Sequence, residues 1–182
     1  STSRGDVEAD RFIIAAGLAS RELVRPLGLS LPLCGLKGYS LTVALSDDRP
    51  SQAPKISVTD SQKKIVYARL GRSLRIAAMV DIGAKDSSID PLRISTLKSQ
   101  VQATFPELAD VETASSWAGE RPATAHGKPI VGRTPFRNLF LNVGHGALGF
   151  TLAAGCGKLL ADSVNGTVSA LDERPFSLGV VR

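Results

Sequence analysis

Apolar and polar residues follow two different rhythms along this chain. Near the beginning, Phe12-Ile13-Ile14-Ala15-Ala16-Gly17 is an unbroken apolar run that stops at a glycine. Such a run fits a strand buried on both faces, as in a parallel sheet. Gly17 would let the backbone turn sharply or approach a ligand. Val7 to Ala9 precedes it as a short extended stretch. Residues 19–27 predict a short helix with Leu23, Val24 and Leu27 on one side and Gly28 just after it.

From Ser40 the period falls to two. Leu41, Val43 and Leu45 alternate with Thr42 and Ala44, and the pattern returns at Ile56 and Val58, at Ile65 and Tyr67, and at Leu74, Ile76 and Ala78. Four short strands are predicted, with turns at Ser46-Asp47-Asp48-Arg49-Pro50, Asp60-Ser61 and Gly71-Arg72-Ser73, which suggests an antiparallel sheet. Asp90-Pro91 then signals a helix start, a capping oxygen followed by proline at the first helical position. Ile94, Leu97, Val101 and Phe105 give that helix one apolar face, and Pro106 stops it. Residues 111–118 form another extended candidate.

The last third returns to the first rhythm. Asn138-Leu139-Phe140-Leu141-Asn142-Val143 predicts a strand that runs into Gly144-His145-Gly146-Ala147-Leu148-Gly149. A helix over 150–164 follows, closed by Asn165-Gly166, with Leu152, Cys156, Leu159, Leu160 and Val164 on its buried face. Gly155 and Gly157 inside it imply close packing against a strand or a cofactor, since each costs about 1 kcal/mol relative to alanine. The tail after Ala170 reads as irregular. Parallel-type material at both ends and antiparallel material between them imply an α+β chain whose middle is an inserted lobe.

Composition narrows the class. Hydrophobic residues make up 43% and charged residues 21%, which excludes disorder and a disulfide-dense scaffold. At 182 residues the chain can bury enough surface to fold without disulfides. No run approaches 18 apolar residues, so no membrane-spanning helix is expected, and the opening residues predict no leader peptide. Two isolated cysteines, Cys34 and Cys156, offer neither a framework nor a metal-ligand spacing, and imply reduced thiols in a cytoplasmic protein. The only methionine is Met79 and the chain opens at Ser1, which predicts a piece of something longer. The net charge of +5 is thinly spread, with Lys63, Lys64, Arg69, Arg72 and Arg75 interleaved with apolar positions. A solvated basic face or an anionic small ligand therefore explains it better than a nucleic-acid surface.

A few residues could carry chemistry. The glycine-rich loop at 144–151 opens a helix, so it presents unpaired N–H groups, the positive end of the helix dipole and the Thr151 hydroxyl to an anion. It could equally be a tight strand-to-helix connection. Arg121, in Trp117-Ala118-Gly119-Glu120-Arg121-Pro122, could grip a carboxylate with two parallel hydrogen bonds, or form a structural ion pair with Glu120 or Asp110. His126 and His145 lack further metal ligands and read as loop residues, and no Gly-x-Ser-x-Gly elbow occurs. Tyr67 could reach a pocket from its strand, or pack in the core. Lys37-Gly38 is a basic entry to the first antiparallel strand.

Several stretches, in order, resemble the C-terminal part of the D-amino-acid dehydrogenases, in the flavoprotein family that includes D-amino-acid, glycine and sarcosine oxidases. They are Ala9-Asp10-Arg11-Phe12-Ile13-Ile14-Ala15-Ala16-Gly17, Leu36-Lys37-Gly38-Tyr39-Ser40-Leu41-Thr42, Trp117-Ala118-Gly119-Glu120-Arg121-Pro122, Gly127-Lys128-Pro129-Ile130-Val131-Gly132-Arg133-Thr134-Pro135, and Asn138 through Thr151. The family's N-terminal Gly-x-Gly-x-x-Gly turn, which holds the FAD pyrophosphate, has no counterpart.

The resemblance implies that residues 1–30 and 129–182 belong to a Rossmann-type FAD domain whose N-terminal part is absent, with 31–128 as the substrate-binding lobe. It implies oxidative deamination of D-amino acids to 2-oxo acids and ammonia by hydride transfer to FAD, in amino-acid catabolism, with a quinone as a candidate acceptor. No catalytic acid or base is required, since hydride transfer depends on alignment. Arg121 matches the arginine that anchors the substrate carboxylate, and Tyr67 matches loosely a substrate-contacting tyrosine. Ala16, Gly17, Gly144, His145, Gly146, Leu148, Gly149, Phe150 and Thr151 match positions that face the cofactor. By itself the chain is expected to be inactive and to bind FAD poorly without the missing N-terminal half, and the full-length enzyme is expected in the cytoplasm, with peripheral attachment to the inner membrane left open. Ala125-His126-Gly127 and Phe150 stand where these dehydrogenases often carry Pro-Asp-Gly and tryptophan, which leaves the substrate side chain open. A glycine- or sarcosine-type amine oxidase of the same family is the alternative, and a non-catalytic basic binding module a more distant one.

Overall fold

The computed structural model describes residues 3–45, 53–84, 86–108 and 110–179. The chain divides into two compact units, Leu36–Glu120 and a second unit made of Ser1–Gly35 with Arg121–Arg182. The expected boundaries lay at 30/31 and 128/129. They fall at 35/36 and 120/121 because Leu31 and Leu33 pack with Val24, Ile130 and Val143, and Ala123 bridges to His145.

The two-ended unit is built on a three-stranded sheet: β1 (Phe12–Ile14), β7 (Ile130–Arg133) and β8 (Leu139–Val143), in the order β1-β8-β7. β1 runs parallel to β8, with Phe12 opposite Leu139 and Ile14 opposite Leu141. β7 runs antiparallel to β8. Alternation along β8 sends its side chains to two apolar clusters. Leu141 and Val143 join Val24, Leu31, Leu33 and Ile130 on one side, while Phe140 joins Val131, Cys156, Leu159 and Leu160 on the other. The latter three belong to α3 (Gly149–Asn165), which ends on Gly166 at φ +69° as the sequence predicts. α1 is only Ser20–Val24, flanked by single turns of tighter helix. Of its expected apolar side only Val24 is buried; Leu23 and Leu27 are exposed.

Three expectations about this unit change. Phe12 and Ile13 are exposed, so β1 is covered on neither its free edge nor one face, unlike a strand buried on both sides. Gly155 and Gly157 face open space, so no close packing accounts for them here. Residues 146–165 do form a helix long and apolar enough to cross a bilayer by length and composition. Yet Cys156, Leu159 and Leu160 pack onto the sheet, and Lys158 pairs with Asp162 within α3.

The other unit is built on a five-stranded sheet in the order β3-β4-β5-β2-β6, from β2 (Leu33–Ala44), β3 (Val58–Asp60), β4 (Ile65–Leu70), β5 (Ser73–Ile82) and β6 (Ser115–Thr124), with β3-β4, β4-β5 and β5-β2 paired antiparallel. β2 and β6 extend past its boundaries. The expected turns at Asp60-Ser61 and Gly71-Arg72-Ser73 connect β3 to β4 and β4 to β5, whereas the turn expected at 46–50 lies outside the described residues. α2 (Pro91–Thr104) covers one face, begun by the Asp90 carboxylate, which accepts a hydrogen bond from the Leu92 N–H at 2.8 Å. Such a cap contributes about 1 kcal/mol. Ile94, Leu97 and Val101 of α2 meet Tyr39, Leu41, Val43, Ile65, Tyr67, Leu74 and Ile76 of the sheet in one cluster. The extended stretch expected at 111–118 begins later, at Ser115, since Val111 is a buried turn residue.

Candidate functional site

Three segments far apart in sequence meet in the two-ended unit. Gly17, at φ +59°, turns the chain after β1, and an added Cβ there would lie in ordinary contact with Pro122 Cγ, at 3.8 Å. The next residue of β6, Ala123, bridges antiparallel to His145, and a Cβ on Gly146 would lie 3.7 Å from the Ala123 Cβ. Gly144, at φ +81°, is tighter still. A Cβ there would meet Thr124 Cγ2 at 2.8 Å and Leu33 Cδ2 at 3.0 Å, so only glycine fits both the backbone and the space. Thr124 is itself fixed, its hydroxyl donating to the Lys128 carbonyl at 2.7 Å. The Arg121-Pro122 segment thus runs beside both the Gly17 turn and the loop that enters α3.

The groups on display there are donors. α3 starts with no side-chain cap and no acidic residue in its first turn, so its first N–H groups have no side-chain acceptor. Phe150, in that turn, is 98% exposed. Arg121 is half-buried, and it forms no ion pair with Glu120, Asp110 or any other described residue. A partly desolvated guanidinium without a counter-charge favours an anionic ligand. Burial holds the His145 imidazole below its ordinary value of 6.5, so it is neutral at pH 7.

Comparison with known proteins agrees with this geometry. Residues 1–163 match the model of the family described as FAD dependent oxidoreductase, DAO. The chain belongs to that family. It is 51% identical over 166 residues to D-amino acid dehydrogenase 2 of Pseudomonas aeruginosa, covering 91% of this chain and 39% of the relative. It is 43% identical over 171 residues to D-amino acid dehydrogenase of Paramagnetospirillum magneticum, covering 94% and 40%. Among solved structures, glycine oxidase from Geobacillus kaustophilus superposes with a TM-score of 0.82 at 29% identity, over 97% of this chain and 47% of that one. The chain therefore spans about two-fifths of the length of these curated relatives.

The residues fit the dinucleotide that gives the family its description. Gly17, Gly144 and Gly146 hold left-handed backbone, Gly144 where a side chain would also clash, and the first turn of α3, with no side-chain cap, offers N–H donors to electron-rich oxygen or nitrogen. Of the residues expected from sequence, the structure gathers Gly17, Gly144, His145, Gly146 and Gly149 with the segment that carries Arg121. Ala16 lies between the end of β1 and Gly17, and its N–H is already donated to Ser20 Oγ at 3.0 Å. Leu148, Phe150 and Thr151 lie at the exposed start of α3.

Tyr67 is different. It has 0% exposure in the core of the antiparallel unit, its ring edge-on to Phe105 with centroids 5.0 Å apart. Packing is the role its position shows, and substrate contact from there would require the core to open. Sequence reasoning missed Ala123, Thr124 and Leu33, which shape the loop by long-range contact. A β-branched residue opposite a glycine is the one hint, and it is visible only after folding.

Proposed function

We propose that this chain is the C-terminal part of an FAD-dependent D-amino-acid dehydrogenase. The observation that carries the reading is the convergence of Gly17, the Arg121–Thr124 segment and the Gly144–Gly149 loop, where the half-buried Arg121 begins the converging segment and has no ion-pair partner among the described residues. The names and identities of the curated relatives support the choice of substrate class. Bound FAD would supply the two-electron acceptor, taking the α-hydrogen of the substrate as a hydride. The chain's own residues bind and orient. Arg121 holds the substrate carboxylate by charge-assisted hydrogen bonds worth roughly 1.5–3 kcal/mol. The N–H groups at the start of α3 stabilise negative charge that develops in front of them, by about 0.3–1 kcal/mol and up to ~2 when partly buried. Neutral His145 adds no competing positive charge.

An upstream half completes the pocket in this reading, forming the rest of a Rossmann-type FAD domain. Three observations support it: β1 pairs only with β8 among the described strands, Phe12 and Ile13 are exposed, and so is Phe150. A quinone is the proposed final acceptor. The likeness to glycine oxidase favours a second reading, an amine oxidase that uses oxygen.

The deciding experiment uses full-length protein. Anaerobic addition of D-amino acids, but not glycine or sarcosine, is expected to bleach the flavin absorbance, with no peroxide in air. Bleaching by glycine and stoichiometric peroxide would establish the oxidase instead. Arg121→Gln is expected to retain flavin while losing about 10- to 100-fold in kcat/KM, in line with the energy of a charge-assisted bond. Unchanged turnover would remove Arg121 from the site.

A further inference from the structure

The end of the sheet opposite this site holds an arginine cluster that the functional reading leaves unused. Because β1 and β8 are parallel, Gly17 and Gly144 follow their last residues, whereas Arg11, Arg137 and Asn138 precede or adjoin their first. At that beginning end lies a cleft of about 640 Å³ lined by Asp10, Arg11, Arg133, Arg137, Asn138 and Phe140, together with the last turn of α3. We propose that this cleft binds a phosphate-class oxyanion.

Three guanidiniums and one carboxylate line the cleft, so its local charge is positive. Arg133 is already held in place: its Nη2 donates to the Ser163 carbonyl at 2.7 Å, and its guanidinium lies 5.5 Å from the centre of the Phe140 ring. Its remaining N–H groups are available. Neither Arg11 nor Arg137 has an ion-pair or side-chain hydrogen-bond partner among the described residues. Planar forks of donors converging on a concave, polar surface suit the oxygens of a tetrahedral anion.

The negative end of the α3 dipole opposes such a ligand. Two of its terminal carbonyls are already bonded, however. Ser163 O accepts from Arg133 and from the Gly166 N–H, and Asp162 O accepts from the Thr167 N–H at 2.9 Å. The guanidiniums therefore dominate the local field. The proposal stands apart from the D-amino-acid reading, since none of these residues belongs to the loop or to the Arg121 segment.

The test uses full-length protein loaded with FAD, so that the dinucleotide already occupies its own phosphate contacts. Inorganic phosphate is titrated at constant ionic strength with melting temperature as the readout. In parallel, the protein is floated with vesicles of phosphatidylglycerol or of phosphatidylcholine. Arg11→Gln/Arg137→Gln removes the two unpartnered guanidiniums and leaves Arg133 on the helix end. Binding of at least one phosphate form is expected, weakened about tenfold or more in the double variant, with flavin content unchanged. Saturable stabilisation by inorganic phosphate identifies a soluble ligand. Flotation with phosphatidylglycerol alone, lost in the double variant, identifies a lipid headgroup. The proposal is overturned if neither occurs, if the double variant binds as tightly as the parent, or if it loses its flavin.

Discussion

The antiparallel unit and the two-ended unit obey the same physics with opposite degrees of completion. In the first, Leu74, Ile76, Leu97 and Val101 have no exposed surface, α2 starts on a bonded aspartate, and one sheet face is sealed. In the second, β1 leaves Ile13 at 51% exposure on an edge unpaired among the described residues, and α3 starts without a side-chain cap beside an exposed Phe150. Apolar strands and open helix starts are costly to leave in water. The contrast therefore separates a lobe that satisfies itself from a layer that leaves apolar surface and helix donors open, which the proposed function fills with a cofactor and further strands.

The sharpest way to break this contrast is to shave both regions. Leu97→Ala is expected to cost about 2–5 kcal/mol in urea unfolding, whether measured on the 182-residue chain or on the full-length protein. Ile13→Ala should cost under about 1 kcal/mol in the chain alone, where the side chain is half in solvent, and about 2–5 kcal/mol in the full-length protein. Equal costs for Ile13 in both contexts would make β1 an ordinary edge strand and remove the argument for an upstream neighbour.

A somewhat smaller effect is expected at the loop. Gly144→Ala combines a left-handed backbone with a 2.8 Å clash against Thr124 Cγ2, which together cost about 1–3 kcal/mol. Flavin occupancy of the full-length protein should fall with it. Adding Thr124→Ser removes that methyl and should recover part of the loss, visible as a partial return of the melting temperature. No recovery would assign the whole effect to the backbone.

The smallest effect is a pH slope. Burial depresses the folded pKa of His145, so the unfolded chain binds a proton more readily than the folded one. Its contribution to stability is complete above the unfolded value near 6.5 and is lost as pH falls through it to the lower folded value. His145→Asn should flatten the fall in melting temperature between pH 7 and pH 5. An unchanged slope would place the responsible group elsewhere.

Where the determinants were local, the sequence was legible. Asp90-Pro91 marked the start of α2, Gly166 marked the end of α3, and the alternation from Leu41 to Ala78 marked an antiparallel sheet. β7 was not visible, because four residues including Gly132 carry too little pattern to stand out from a loop. β1 reads as doubly buried because an unbroken apolar run carries no sign of which face is left open, yet Phe12 and Ile13 are exposed. The same blindness applies to the site. The glycines announced a close approach, but what approaches them, Thr124 and Leu33, depends on contacts across the unit. At Tyr67 the sequence left pocket and core open, and the alternation of β4 carries its ring inward.

Seventeen residues at about 1.5 Å each make α3 a rod of roughly 25 Å. Its two tips are too distant for one small molecule to touch both. Whatever the arginines at the far tip hold can therefore come and go without displacing a nucleotide at the near tip, and each occupant should raise the melting temperature independently of the other.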